Sequence, residues 1–533
     1  MSLPPRFARD AGLALAVGAV AALAHPPFGF LPGLMGYPLL LAMLERADRA
    51  KPLRSAFWRG WLAGSAYFLI GCWWVAEAFL VDALEQGWMA PFAVLLLAGG
   101  LGLFWGAAGA LYIWLKPANP LWKVLVFAGA LSAMEWLRGH VFTGFPWDLP
   151  GETWAAGSAP SQAASVIGAY GLTWLTLAAV AALAMPLIGG RDRQTWRTAY
   201  WGAIVIAGLY LLGLQRLDHA APADPTAPQL RIVQANVPQT LLEDGSSFPT
   251  ILSRYLRLTA QPAGRRPTIV IWPEGALPES ANDMLAPGSW VASAIAQSLG
   301  PDQLLLIGSY RVLGPAAAPE YRNSLLALRR QDDANGPKLA LKTFYDKYRL
   351  VPFGEYLPMD KLLGRLGIKK LVHVGDGFAS GPRPAPIVAP GAPAMQPLIC
   401  YEALFPGFVR QGGQLTGVRA RWIVNVSDDA WFGRTSGPWQ HLNLSSYRAI
   451  EEGLPLVRAT PTGVSAVIDA YGRNPRSLRL GLGEQGVIDA PLPPALAPTL
   501  YDRFGDTVFA LMLGLSLLAA LTRLRPFAAR LRT

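Results

Sequence analysis

The distribution of apolar residues constrains this chain more than any other feature. Long uncharged runs fill residues from about 10 to 215, and one more occupies about 504–522. Between them, 228–495 alternates short apolar segments with charged helices and Pro/Gly turns. About 20 apolar residues cross a bilayer as a helix. By that measure seven spans precede the polar stretch, at about 10–25, 29–45, 57–80, 88–115, 122–138, 163–187 and 197–215, and an eighth follows at 504–522. The expected organisation is therefore a membrane part over 1–215, a globular part over 228–495 and a final anchor over 504–522. The first run, with Arg6, Arg9 and "AALAH", imitates a cleavable signal peptide, but the spans behind it favour a retained anchor.

Basic residues orient this arrangement. Arg6 and Arg9 precede the first span, and Arg46, Arg49, Lys51 and Arg54 lie between the second and third. Lys116 and Lys123 separate the fourth and fifth, Arg191, Arg193 and Arg197 the sixth and seventh, and Arg523, Arg525, Arg530 and Arg532 follow the eighth. All of these fall on one side of an eight-span chain, whereas the alternate loop with Asp82 and Glu85 carries no Lys or Arg. The positive-inside rule then puts both termini in the cytoplasm and the globular part outside it. Much of the +11 net charge is spent on topology, which argues against nucleic acid as a partner.

That orientation gives weight to the two cysteines. Outside the cytoplasm paired cysteines become disulfides, yet Cys72 should lie in the third span and Cys400 in the globular part. An unpaired outer thiol either fills a core or performs chemistry. The surrounding pattern is α/β. Strand signals occur at 230–236, 268–274, 303–311, 323–330, 397–402, 421–427 and 464–472, with helical patterns at 246–260, 287–299 and 438–453. No phosphate-binding glycine loop and no zinc-type Cys/His spacing is present, so the sequence calls for no cofactor or metal.

Three strand-end segments carry charge where an apolar run stops. "IWPEGALP" holds Glu274, "KTFYDKYRLVPFGEYLP" holds Lys347 and Glu355, and "LICYEALFPG" holds Cys400, Tyr401 and Glu402. Singly each has a plain explanation: Glu274 as a helix cap, Lys347 as a solvated turn residue, Cys400 and Glu402 as two residues on one strand face. Together they meet a chemical need. A thiol attacks as thiolate, a partly desolvated carboxylate shuttles protons, and an ammonium stabilises a tetrahedral oxyanion.

"WPE", "YDKYRLVPFGE" and "ICYE", in that order and joined to eight spans, resemble the bacterial apolipoprotein N-acyltransferase family of the nitrilase superfamily. "EWLRGHVFTGFPW" (135–147) and "DAWFG" (429–433) extend the resemblance over the whole chain. It implies an αββα sandwich on a helical membrane base in the bacterial inner membrane, with a periplasmic catalytic domain. Glu274 would be general base and acid, Lys347 the oxyanion stabiliser and Cys400 the nucleophile. Glu355, Tyr401 and Glu402 would support the site, with the Tyr401 N–H as second oxyanion donor. The reaction implied moves an acyl chain from a membrane phospholipid, through a Cys400 thioester, to the α-amine of a diacylglyceryl-cysteine apolipoprotein. Two departures stand out: Leu242-Glu243-Asp244 where the family has an aromatic residue, and Asp428 where it has asparagine.

Three competing readings follow from the residues. A membrane-tethered amidase would use the same triad with water as acceptor. His441 could serve Cys400 as base, although its helical surroundings point to packing. The spans alone would suit a transporter or scaffold, against which the scarcity of intramembrane charge counts. Segment 139–162, with Phe142, Phe145, Trp147 and Trp154, is expected to be an interfacial loop, with Glu135 and Arg138 pairing at i, i+3 to order it. Trp73 and Trp74 are expected as packing or belt residues.

Overall fold

The structure is a computed structural model that describes residues 5–218, 224, 226–243, 245–334, 336–358 and 377–524. The chain divides into two compact units: Met1–Ala220 with Thr435–Glu451 and Pro498–Thr533, and Ala221–Arg434 with Glu452–Ala497.

The first unit is helical. Four of its described helices are long and apolar enough to cross a bilayer: Ala83–Leu115, Pro120–Arg138, Pro160–Leu183 and Arg193–Asp218. The pair Pro52–Gly71 and Trp73–Phe79, bent by 54°, makes a fifth if it is one span. Leu31–Glu45 and Thr507–Leu521 are apolar but shorter. A helix rises about 1.5 Å per residue, so the latter, at 15 residues, falls short of a hydrocarbon core of about 30 Å.

Small residues let these helices approach closely. A Cβ on Gly60 would stand 2.3 Å from the Trp105 carbonyl oxygen, and one on Gly64 2.7 Å from the Trp105 Cβ. Such small-residue contacts are how apolar helices associate in lipid. Cys72 ends Pro52–Gly71 as a buried free thiol.

Segment 139–162 folds back into this unit. Trp147 and Trp154 are buried within it, and Phe142 alone of its four aromatics is fully turned out, at 90% exposure. The reason is helix Gly437–Glu452. Its Gln440 accepts from the indoles of Trp74 and Trp147 at 3.1 Å each and donates to Asp148 at 3.0 Å. Its Asn443 bonds the Glu152 carbonyl and the Ala156 N–H. Glu451 accepts from the Ala169 N–H at 2.9 Å, next to the backbone break at Gly168, φ +67°. Glu135 and Arg138 pair as expected, both fully buried, and Arg138 also donates to the Phe145 carbonyl.

The second unit is a sandwich of two mixed sheets. One has strand order β11-β1-β2-β3-β4-β5, the other β10-β9-β8-β7-β6. The strands are β1 Gln229–Gln234, β2 Ile269–Trp272, β3 Leu304–Leu313, β4 Glu320–Asp333, β5 Gly336–Asp346, β6 Met395–Ile399, β7 Trp422–Val426, β8 Leu456–Ala459, β9 Ser465–Ile468, β10 Arg479–Leu480 and β11 Gly486–Pro491. β1, β2 and β3 run parallel, as do β6, β7 and β8.

The two-residue period of a strand builds the layers. Ile269, Ile271, Leu304 and Leu306 face the inter-sheet core with Met395, Ile399, Val424 and Val426. Val270, Trp272, Leu305 and Ile307 face the other way, onto helices Phe248–Thr259 and Trp290–Ser298. Helix Phe408–Thr416 covers the opposite sheet, its Gly412 close against Gln396 of β6. The unit is therefore αββα.

Candidate active site

Parallel strands deliver their following residues to one end of a sheet. β2 leads into Glu274, β6 into Cys400 and β7 into Ser427-Asp428-Asp429, while β5, antiparallel to β4 and so aligned with β3, leads into Lys347.

Glu274 sits in a turn too tight for a side chain opposite it. A Cβ on Gly308 would stand 2.4 Å from the Glu274 Cα. Glu274 is 7% exposed, and its two oxygens divide their work. Oε1 accepts from Lys347 Nζ at 3.2 Å and from Asn323 Nδ2 at 2.7 Å, and Oε2 accepts from the Asp428 N–H at 2.7 Å. It is thus no helix cap.

Lys347 is 1% exposed, not a solvated turn residue. Its Nζ lies between two carboxylates, 2.9 Å from Glu355 Oε1 as well as 3.2 Å from Glu274. Asn323 Nδ2 bridges the same two oxygens, reaching Glu355 at 2.8 Å. Glu355 uses its other oxygen on the Val351 N–H at 2.8 Å, which holds the 347–355 loop in shape. Burial alone would lower the Lys347 pKa. The Glu274 and Glu355 carboxylates beside it, with Cys400, instead hold it above the ordinary lysine range. The preceding Asp346, bound by Arg311 at 2.7 Å and Ser324 at 2.6 Å, anchors the lysine's backbone.

Cys400 does not continue β6. Its φ is +48°, a left-handed conformation unusual for a residue with a Cβ, and it starts the 3-10 turn Cys400–Leu404. The two-on-one-face reading of Cys400 and Glu402 therefore fails. Glu402 points into the protein with no exposure. It accepts from the Tyr345 hydroxyl at 2.8 Å and from the N–H groups of Ile399, Tyr348 and Arg349 at 2.8, 2.8 and 3.2 Å. It ties the cysteine turn to the lysine loop from behind. Burial raises its pKa to about 7, against the pull of those donors. Tyr401, the first residue after the thiol, is buried with its ring 5.1 Å from Phe405.

Around the partly buried thiol stand Glu274, Lys347, Asp429 and Ser427. Burial, then Glu274 and Asp429, push the Cys400 pKa well up, against the opposing pull of Lys347 and the Ser427 side chain. Asp428 is likewise raised, to about 8, by burial and then by Glu274. The resting thiol keeps its proton, so attack requires a base, and Glu274 is the carboxylate that also touches Lys347. The arrangement supplies a nucleophile, a proton acceptor and a fixed positive charge.

Of the expected site residues, the structure gathers Glu274, Lys347, Glu355, Cys400, Tyr401 and Glu402 in one unit. Sequence reasoning missed Asn323, which lies near the start of β4 and reads there as an ordinary polar residue. His441 is buried in helix Gly437–Glu452, its ring 5.8 Å from that of Trp147. Leu242 packs partly buried on the outer core, while the Glu243 side chain and Asp244 lie outside the described residues.

Known protein families match the chain in two parts. Residues 17–183 match the apolipoprotein N-acyltransferase N-terminal domain, and residues 229–499 match the carbon-nitrogen hydrolase family. Apolipoprotein N-acyltransferase of Caulobacter vibrioides is 55% identical over 95% of this chain and 93% of its own length. The enzymes of that name from Rhodopseudomonas palustris and Bradyrhizobium diazoefficiens are 37% and 38% identical, over 97% and 96% of this chain and 96% and 94% of theirs. At that identity and coverage, the chain belongs to the apolipoprotein N-acyltransferase family.

Proposed function

We propose that this N-acyltransferase moves an acyl chain from a membrane phospholipid to the N-terminal α-amine of diacylglyceryl-cysteine apolipoproteins, with Cys400 as carrier. Glu274 takes the thiol proton and the thiolate sulfur attacks an ester carbonyl. Lys347 Nζ and the Tyr401 N–H hold the oxyanion. As the ester C–O bond breaks, Glu274 passes its proton to the departing lysophospholipid oxygen, leaving a thioester. The acceptor amine then attacks, Glu274 removes its proton, the C–S bond breaks and the proton returns to sulfur. Glu355 and Glu402 take no part in bond changes; they fix the lysine and the cysteine turn.

The observation that carries this reading is one buried ammonium, 3.2 and 2.9 Å from two carboxylates, at the strand ends that also present a thiol in a left-handed turn. The architecture that fits lipid substrates is eight spans, with helices over 1–215 and 504–522 before and after a catalytic domain over 228–495 in the sequence. Both termini would face the cytoplasm of the bacterial inner membrane and the catalytic domain the periplasm. The fifteen Lys and Arg counted on one side support that orientation.

Intact-mass measurement tests it. The enzyme incubated with phospholipid should gain one acyl mass on Cys400, and adding a diacylated lipopeptide should discharge it into acylated peptide. Free fatty acid with no acylated peptide would instead make the chain a membrane-tethered amidase or hydrolase.

A further inference from the structure

Cys400 has a second set of neighbours that the acyl-transfer steps leave unused. β7 ends at Val426, in register with Ile399 of β6, so Ser427 and Cys400 leave the two strands side by side, and the Ser427 side chain holds the thiol pKa down. The Ser427 hydroxyl donates to Asp429 Oδ1 at 2.7 Å. Asp429 Oδ2 receives Arg458 Nη2, from the end of β8, at 2.5 Å. Arg458 also donates to Asn425 Oδ1, and Asn425 Nδ2 is fixed on the Leu398 carbonyl at 2.8 Å, two residues before the thiol. None of Ser427, Asp429, Arg458 and Asn425 exceeds 1% exposure. Gly463 presses on this chain so closely that a Cβ there would stand 2.5 Å from the Asp429 Cβ.

We propose that Ser427, Asp429 and Arg458 form a positioning relay for the Cys400 thiol, in which the Ser427 hydroxyl turns its single proton from Asp429 to sulfur when the thiolate forms. The inference rests on Cys400 being the nucleophile. A hydroxyl has one proton and two lone pairs. With that proton on Asp429, Ser427 offers the sulfur a lone pair, which suits a thiol S–H and repels a thiolate. Turned to sulfur, the hydroxyl stabilises the thiolate, and Asp429 keeps its charge partner in Arg458. When the hydroxyl proton turns away, Arg458 still donates to Asp429, so the buried carboxylate keeps a charge-assisted bond. Glu274 and Lys347 face the same sulfur from β2 and β5, and Asp428 adjoins through Glu274. The relay acts from the β7 side.

The relay makes two substitutions act in opposite directions. In Ser427→Ala the sulfur loses its donor. In Asp429→Asn a negative charge is removed and the amide N–H can donate to Ser427, leaving the hydroxyl proton permanently on sulfur. The test is alkylation of the full-length enzyme in detergent micelles by iodoacetamide from pH 6 to 9, with peptide mass assigning the label to Cys400. This readout does not depend on lipid or lipopeptide, so it fails or succeeds separately from the acyl-transfer reading. Ser427→Ala should slow labelling about tenfold at neutral pH and move its profile about one pH unit upward, the size of one hydrogen bond to a charged group. Asp429→Asn should speed labelling about threefold or more. Equal slowing in both variants would reduce the relay to packing, and labelling of Ser427→Ala within about twofold of the unaltered enzyme would overturn it. If Asp429→Asn does not fold, the Ser427→Ala pH profile alone decides.

Discussion

Both units bury ion pairs, and they use them differently. In the helical unit Glu135 and Arg138 have no exposure and close on each other, with the remaining contacts taken by the Trp105 indole at 2.7 Å and the Phe145 carbonyl. One acid meets one base, and the effect is to hold the chain where it leaves helix Pro120–Arg138. In the sandwich, Lys347 is shared by Glu274 and Glu355, with Asn323 spanning the same two oxygens, and a thiol stands alongside. Two acids to one base leaves an acceptor whose charge the lysine does not fully cancel. Burial of charge thus does not mark a site by itself; a surplus of acid over base beside a nucleophile does.

The largest test of that contrast removes the surplus. Cys400→Ala should abolish the acyl adduct in intact-mass spectra. Glu274→Gln, which keeps the shape and loses the base, should slow its formation at least about a thousandfold. Lys347→Met should cost about a hundred- to a thousandfold, and adding Glu355→Gln should not restore the rate, because in the proposed reaction the lysine charge holds the oxyanion. A double variant that recovered activity would make the site an ion pair like the other.

Glu135 and Arg138 should show the reverse pattern. Arg138→Leu alone leaves a buried carboxylate unpaired and should cost about 3–5 kcal/mol in detergent unfolding. The double variant Glu135→Leu/Arg138→Leu should regain more than half of that loss. Its adduct formation per folded molecule should remain within about threefold of the original. If the double variant is no more stable than the single, the pair is more than a closed clamp.

How far these roles could be read in advance depended on range. Glu274, Lys347 and Cys400 were legible because each ends an apolar run with a chemical group the run does not need. Helices Phe248–Thr259, Trp290–Ser298 and Gly437–Glu452 were legible from their period. β5 was not: "GPKLALKTFYD" has Thr343 as its single β-branched residue and opens on Gly-Pro, and pairing with β4 supplies what propensity does not. The burial of Trp147 and Trp154 was hidden because their partners, Gln440 and Tyr447, lie almost 300 residues away. The role of Glu402 depended on a single backbone angle at Cys400.

Asn323 tests the bridge between the two acids with a smaller effect. Its amide donates to both glutamates while its carbonyl receives the Lys347 N–H at 2.8 Å, so it sets side chain and backbone together. Asn323→Ala removes the amide and leaves the backbone bond. Adduct formation should fall about tenfold or more, because two hydrogen bonds to charged groups are lost. Single-turnover rates with vesicle substrate read it directly, and an unchanged rate would leave the lysine as the only bridge that counts.

The smallest expected effect concerns Glu402, which is buried like Glu135 but has no cation in hydrogen-bonding contact. Its four partners are the Tyr345 hydroxyl and three backbone N–H groups. The folded pKa, about 7, stands above the 4.5 of a free glutamate. The folded state therefore holds the proton more tightly than the unfolded one. The stability this contributes is whole below about 4.5 and is lost as pH rises through about 7. Glu402→Gln carries no titrating proton and should lack that slope, although its amide N–H groups face donors and lower stability at every pH. The readout is the difference in Tm between the two proteins, which cancels the other titrating groups. It should narrow by about 2–4 °C between pH 5 and 7.5. A constant difference would mean that four hydrogen bonds suffice to hold the carboxylate ionised, and that Glu402, for all its burial, behaves as a closed clamp in the manner of Glu135.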